Sequence, residues 1–184
     1  GYPPPRDREA GFPALLRIIV DQQVSTQSGA AIWRRLESGI GIITPASILK
    51  VGEDGLRACG FSGQKARYAG ELARAITTGA LDLDALHHQS DDEVQATLVQ
   101  IKGIGRWTAE IYLMFALNRP DVWPAGDLAL VIAAQHLLDL PDRPNLAEMD
   151  ALSWQWSPWR TTAAVMLWHY YRLIKPGAGG EPGR

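Results

Sequence analysis

The sequence predicts an all-α fold, and three observations predict it. Apolar residues recur at helical spacing, as in Leu15, Leu16 and Ile19 and again in Ile32 and Leu36. Helix start and stop signals follow one another at short intervals, and no stretch shows the apolar/polar alternation of a half-buried strand. With 184 residues, 46% of them apolar, the chain has material for one large domain or two small helical lobes around a sizeable core.

After the Pro3-Pro4-Pro5 lead, one helix is predicted from about Phe12 to Leu36, with Gly29 either interrupting it or permitting close packing. Thr44-Pro45 reads as an N-cap followed by proline in the first helical position, where its missing N–H has no intrahelical partner to lose, and a short helix follows. Gly60-Phe61-Ser62-Gly63 breaks the chain before a helix from about Gln64 to Thr78. Ser90-Asp91-Asp92-Glu93 has capping-box spacing for the next. Lys102-Gly103-Ile104-Gly105 is a tight turn between two helices. Further helices are expected to open near Gly126-Asp127, Asn145 and Trp159, the last closing at Lys175-Pro176-Gly177. The glycine-rich tail, 176–184, is expected to be flexible.

Composition narrows the function classes. The single cysteine, Cys59, excludes an internal disulfide framework and the four-thiolate ligation of an iron–sulfur cluster. His87-His88 is an adjacent pair in an acidic stretch and reads as solvated, not as a zinc site. No apolar run approaches the roughly 20 residues that span a bilayer, so a soluble, intracellular protein with no membrane partner is expected. A net charge of −2 argues mildly against a nucleic-acid partner. The basic residues Lys65, Lys102, Arg106 and Arg160 nonetheless lie near turns, which leaves room for a locally basic face.

The turn at 102–105 carries the chemistry. In Leu98-Val99-Gln100-Ile101-Lys102-Gly103-Ile104-Gly105-Arg106-Trp107-Thr108-Ala109, one helix ends in Gly-x-Gly and another begins at once. Glycines reach positive φ without a Cβ penalty and let backbone approach a ligand closely. The second helix then offers unpaired N–H groups and the positive end of its dipole, which suits a phosphate oxygen. An isolated Gly-x-Gly is also an ordinary helix–helix turn. Downstream, Trp123-Pro124-Ala125-Gly126-Asp127-Leu128-Ala129-Leu130 puts an aspartate at the mouth of a further helix.

This pair resembles the helix-hairpin-helix, Gly/Pro-rich loop, aspartate signature of the helix-hairpin-helix DNA glycosylase superfamily. Ile18-Ile19-Val20-Asp21-Gln22-Gln23-Val24-Ser25-Thr26 resembles that family's early glutamine-containing segment, and Gly60-Phe61 through Lys65-Ala66-Arg67 its helical turn with a basic residue. Ser157-Pro158-Trp159-Arg160-Thr161 resembles the closing segment of the AlkA-type 3-methyladenine branch. These segments run in family order over about residues 12–174. The resemblance implies a two-lobed helical bundle with a cleft: a six-helix lobe over 30–125 carrying the hairpin, and a terminal-helix lobe from 1–29 plus 126–175. Too few residues precede Phe12 for the N-terminal β-rich domain of longer AlkA-type enzymes, so the chain resembles the minimal members.

By the same resemblance, Asp127 is the catalytic carboxylate, and Gln23, with Gln22 beside it, fills the gap left in the duplex. Trp107, Ile111 and Trp159 line the base pocket, Ile111 being aliphatic where some relatives place an aromatic ring. Lys65, Lys102, Gly103, Ile104, Gly105, Arg106 and Thr108 meet the DNA backbone. The carbonyls of Val99, Ile101 and Ile104 can hold a structural Na⁺ or K⁺, and no cofactor is required. Each residue also has a bland reading: Asp127 as an N-cap, Gln23 as a half-buried polar side chain, the tryptophans as core, a role expected for Trp33 and Trp168. Bifunctional members place a Schiff-base lysine two residues after the second hairpin glycine, where this chain has Trp107. A monomeric, monofunctional glycosylase acting on alkylated purines in double-stranded DNA is therefore expected. The alternatives are a glycosylase for another lesion and a non-catalytic helix-hairpin-helix DNA-binding module.

Overall fold

A computed structural model describes residues 10–175. The expectations placed on Pro3-Pro4-Pro5 and on the 176–184 tail lie outside the described residues. Nine α-helices follow in order among them: α1 (Phe12–Asp21), α2 (Thr26–Ile40), α3 (Pro45–Ala58), α4 (Gly63–Thr77), α5 (Asp91–Leu98), α6 (Arg106–Phe115), α7 (Leu128–Leu137), α8 (Leu146–Ser153) and α9 (Arg160–Ile174). Short 3₁₀ turns occupy Ala85–His88 and Trp154–Trp156, and no strand occurs among the described residues.

Local chemistry starts these helices where the sequence predicts. Thr44, Ser62, Ser90 and Asn145 each accept the N–H of the residue three positions on, which satisfies a donor that the first helical turn cannot. At Thr44, Ser90 and Asn145 the bond is returned by Ser47, Glu93 and Glu148, closing full capping boxes. The helix after Thr44 is longer than expected because it continues past a kink at Gly52, where φ is 67°.

The predicted single helix from Phe12 to Leu36 is two. α1 ends at Asp21, Gln22 leaves the helix with ψ 130°, and Gln23 takes φ 53°. A remote side chain stabilises the break: Lys65 Nζ donates to Val20 O at 2.7 Å and to Gln22 O at 2.6 Å, satisfying carbonyls that a continuous helix would have used itself. Ser25 then caps α2 through Ser28 N. Gly29 serves close packing, since a Cβ there would collide with the Asp21 carboxylate.

Leu15, Leu16, Ile19, Ile32 and Leu36 are all buried, as predicted, in one contiguous core with Tyr112 and Trp168 among its largest members. Trp33 sits half-buried at the edge, its N–H on Glu37 and the Arg17 guanidinium over its ring. α3 packs on α4 and α7 on α9. α1 has α2, α4 and α6 as its principal neighbours, which sets residues 12–21 against helices of the 30–125 segment and the glutamine-bearing loop beside the hairpin.

Candidate active site

The hairpin turn joins α5 to α6. Gly103 takes φ 97°, the left-handed region, and a Cβ there would run into the ring of Tyr68 on α4. Gly105 has ordinary extended backbone, and a Cβ there would meet nothing within 4 Å. As the N-cap of α6, Gly105 supplies no side-chain acceptor to the first-turn N–H groups. The first helical turn thus has no side-chain cap, and with the positive end of the helix dipole and the open space beside Gly105 it is the kind of terminus that suits an external anion.

Of the side chains expected at the DNA backbone, Lys102 is exposed at this turn. The others are committed within the protein. Lys65 holds the carbonyls of Val20 and Gln22, and burial lowers its pKa while the nearby Asp21 charge raises it. Arg106 pairs with Glu110 at 2.7 Å and Asp150 at 3.1 Å. Thr108 is buried, and its Oγ1 accepts the Gln22 amide at 2.8 Å. That amide also donates to Gly103 O at 3.1 Å, so Gln22 is turned inward while Gln23 is exposed.

Asp127 caps α7. The residue is 8% exposed, and its carboxylate meets a dense set of donors. Oδ1 accepts Leu130 N at 3.0 Å and the indole N–H of Trp168 at 3.0 Å, and Oδ2 accepts the indole N–H of Trp107 at 2.9 Å. Asp127 accepts all three bonds and donates none, so what it offers a neighbour is negative charge in a fixed orientation. The structure thus joins Trp107 to Asp127 through the edge of the indole, leaving the ring faces uninvolved in that bond. Trp168, expected only in the core, is a second support of the carboxylate. One signal pointed to it: a buried indole N–H needs an acceptor.

Trp159 stands 63% exposed at the start of α9, and Ile111 is fully buried on α6. The Trp159 segment is clamped by Asp121, which accepts from Ser157 Oγ, Arg160 N, Arg160 Nε at 2.8 Å and Arg160 Nη2 at 2.9 Å. The Arg160 bonds hold the Asp121 carboxyl below the usual aspartate range. Glu110 is almost fully buried, and burial pushes its carboxyl up to about 7 against the opposing bond from Arg106. Neither was foreseen: the clamp joins segments distant in the chain, and the burial of Glu110, unlike its bond from Arg106 four residues before it, depends on how the helices pack. Among the described residues, no group of three or more His, Cys, Asp or Glu is placed to hold a metal, and no helix is long and apolar enough to cross a membrane.

Residues 16–158 match the model of the HhH-GPD superfamily of base excision DNA repair proteins, and the chain belongs to that family. Within it, the chain is 35% identical to DNA-3-methyladenine glycosylase 1 of Schizosaccharomyces pombe over 178 residues, 94% of this chain and 78% of the relative. It is 30% identical to a putative DNA-3-methyladenine glycosylase of Bacillus subtilis over 85% of its length, and spans 58% of that relative. The solved S. pombe 3-methyladenine DNA glycosylase in complex with abasic DNA superposes with a TM-score of 0.85 at 33% identity, covering 97% of this chain and 88% of that one.

Proposed function

We propose that this chain is a monofunctional DNA glycosylase of base excision repair that flips alkylated purines, of the 3-methyladenine and 7-methylguanine type, out of duplex DNA and hydrolyses their bond to deoxyribose. The observation that carries the reading is Asp127, a nearly buried carboxylate held by Trp107, Trp168 and Leu130 beside the hairpin. An N-cap alone needs only the backbone bond. Two indoles aimed at the same carboxylate serve orientation, and a non-catalytic DNA-binding module has no use for that.

Breaking an N-glycosidic bond develops positive charge on the sugar. A fixed carboxylate facing the anomeric carbon stabilises that charge and orients the attacking water. An alkylated purine already carries positive charge and leaves readily, so little acid catalysis is asked of the site. Trp107 and the exposed Trp159 supply electron-rich faces for a cationic base, at about 0.5–2 kcal/mol each. Gln23 fills the vacated space in the duplex, and the open terminus of α6 with Lys102 takes the phosphates. The carbonyls of Val99 and Ile104 accept none of the turn's own hydrogen bonds and Ile101 O accepts only Ile104 N, so this neutral all-oxygen set suits a Na⁺ or K⁺ ion. Such an ion, when bound, neutralises a phosphate oxygen. The protein acts as a monomer on double-stranded DNA inside the cell, with no iron–sulfur cluster.

Trp107 stands where a Schiff-base lysine would be needed for strand cleavage. Incubation with a methylated duplex is expected to release free methylpurine and leave an intact abasic strand, with no adduct trapped by borohydride. Failure to release any methylpurine from a duplex that the protein binds would overturn the alkylpurine reading and leave a glycosylase for another lesion or a non-catalytic DNA-binding module. A trapped adduct that disappears on mutating one lysine would overturn the monofunctional assignment.

A further inference from the structure

Gln22 and Gln23 are neighbours with opposite environments. Gln22 points inward and bonds Gly103 O and Thr108 Oγ1 of the hairpin. Gln23 is exposed at φ 53°, a conformation that a residue with a Cβ keeps only where its surroundings hold it. Those surroundings are specific. Lys65 grips Val20 O and Gln22 O on one side of the loop, Ser25 caps α2 on the other, and Gly29 lets α2 press against Asp21. On α4, Lys65 lies one turn before Tyr68, whose ring fills the space beneath Gly103. α4 therefore backs the glutamine loop and the hairpin together, and the Gln22 amide links the two directly.

We propose that Gln22 and Lys65 are positioning residues that lock the 22–25 loop to the hairpin, so that phosphate capture at α6 and entry of Gln23 into the duplex happen as one rigid-body event. The inference rests on Gln23 being the side chain that fills the gap, and it takes Gln22 and Lys65 away from direct DNA contact. A loose loop would leave phosphate binding intact but would have to be ordered at each flip, adding conformational entropy to the cost of unstacking. A locked loop carries that order beforehand.

The test uses a duplex with 2-aminopurine beside a 7-methylguanine lesion, whose fluorescence rises on flipping. It compares the wild type with Gln22→Leu, Lys65→Met and Lys65→Arg. Gln22→Leu and Lys65→Met are expected to bind undamaged duplex within about twofold of wild type while flipping and single-turnover release fall roughly tenfold, about 1.4 kcal/mol. Placing the lesion in an unpaired bulge should restore release to within about threefold, because the flipping cost is then already met. Lys65→Arg keeps donors for both carbonyls and should lie closer to wild type than Lys65→Met. Wild-type flipping by both variants would overturn the proposal. So would an equal loss of release on the bulged lesion, which marks a general loss of fold, or a matching loss of binding to undamaged duplex, which places both side chains in the phosphate anchor. Fluorescence reports flipping without chemistry, so a wild type that flips but releases no base would sink the glycosylase reading and leave this comparison intact.

Discussion

The N-termini of α6 and α7 begin with the same physics and use it in opposite ways. Both present unpaired N–H groups and the positive end of a helix dipole. At α6 the cap is Gly105, with no side chain and open space around it. At α7 the cap is Asp127, whose carboxylate closes the terminus and is held by two indoles as well. On the proposed function, the open terminus takes an anion from outside, a phosphate, and the closed one carries its own anion, already oriented, for a cation that arises during reaction. A capping residue can thus be a ligand site by its absence or a reagent by its presence, and its neighbours decide which.

The harshest way to break this contrast is Asp127→Ala, which removes charge and cap together. Base release should fall by at least roughly 10²-fold. Two buried donors and the part-buried Trp107 indole would lose their acceptor, so the urea midpoint should report a loss on the order of 1–3 kcal/mol. Trp168→Phe sharpens the contrast by removing one support of the carboxylate while keeping an aromatic ring in the core. Single-turnover release should fall about tenfold, roughly 1.4 kcal/mol, with affinity for undamaged duplex unchanged. A loss confined to affinity would show that the indole serves something other than the carboxylate.

At α6, Gly105→Val fits the extended backbone and the open space, so the fold should survive. Binding to damaged and undamaged duplexes should weaken alike, by roughly 1–2 kcal/mol, and the slope of log K against log salt should drop by about one phosphate. A loss restricted to damaged DNA would contradict anchoring. Gly103 is the wrong probe, since any side chain there strikes Tyr68.

The last contrast concerns pH and touches stability alone, leaving base release and DNA binding aside. Folded Glu110 titrates near 7, above its ordinary value of 4.5, so between those limits the folded state binds more protons than the unfolded one. Stability from this group is therefore full below pH 4.5 and is lost as pH rises through 7. Denaturation midpoints should show wild type losing up to about 3 kcal/mol relative to Glu110→Gln across that window. A gap that widens toward acid pH would reverse the assignment.

Much of this was legible because it is local. Thr44, Ser62, Ser90, Asp127 and Asn145 mark their helices through bonds spanning three residues, which sequence spacing displays directly. The break between α1 and α2 was not legible. Gln22-Gln23-Val24-Ser25 contains no glycine or proline; its one local signal is the cap Ser25, and the carbonyls freed at the break are held by Lys65, far along the chain. Gly29, the residue that looks like a breaker, instead sits inside α2 for packing. The site divides along the same line. Asp127 is proposed from position and resemblance, whereas the indole of Trp168, the inward turn of Gln22, the commitments of Lys65 and Thr108 and the Arg106 bond to Asp150 arise only when distant segments meet.

The most direct test of the central claim is single-turnover base release by Asp127→Asn, measured with DNA affinity on the same preparation. Asparagine keeps the size and, with its oxygen toward Leu130 N and Trp168 Nε1, the cap, while removing the charge and the acceptor for Trp107 Nε1. Folding and binding should persist, and release should slow by roughly 10²–10³-fold, the equivalent of about 3–4 kcal/mol of electrostatic stabilisation. The slowing should be greater for a neutral damaged base than for 3-methyladenine or 7-methylguanine, whose positive charge already weakens the bond. Near-wild-type release of every base by a folded Asp127→Asn protein would contradict the account and remove Asp127 from the mechanism.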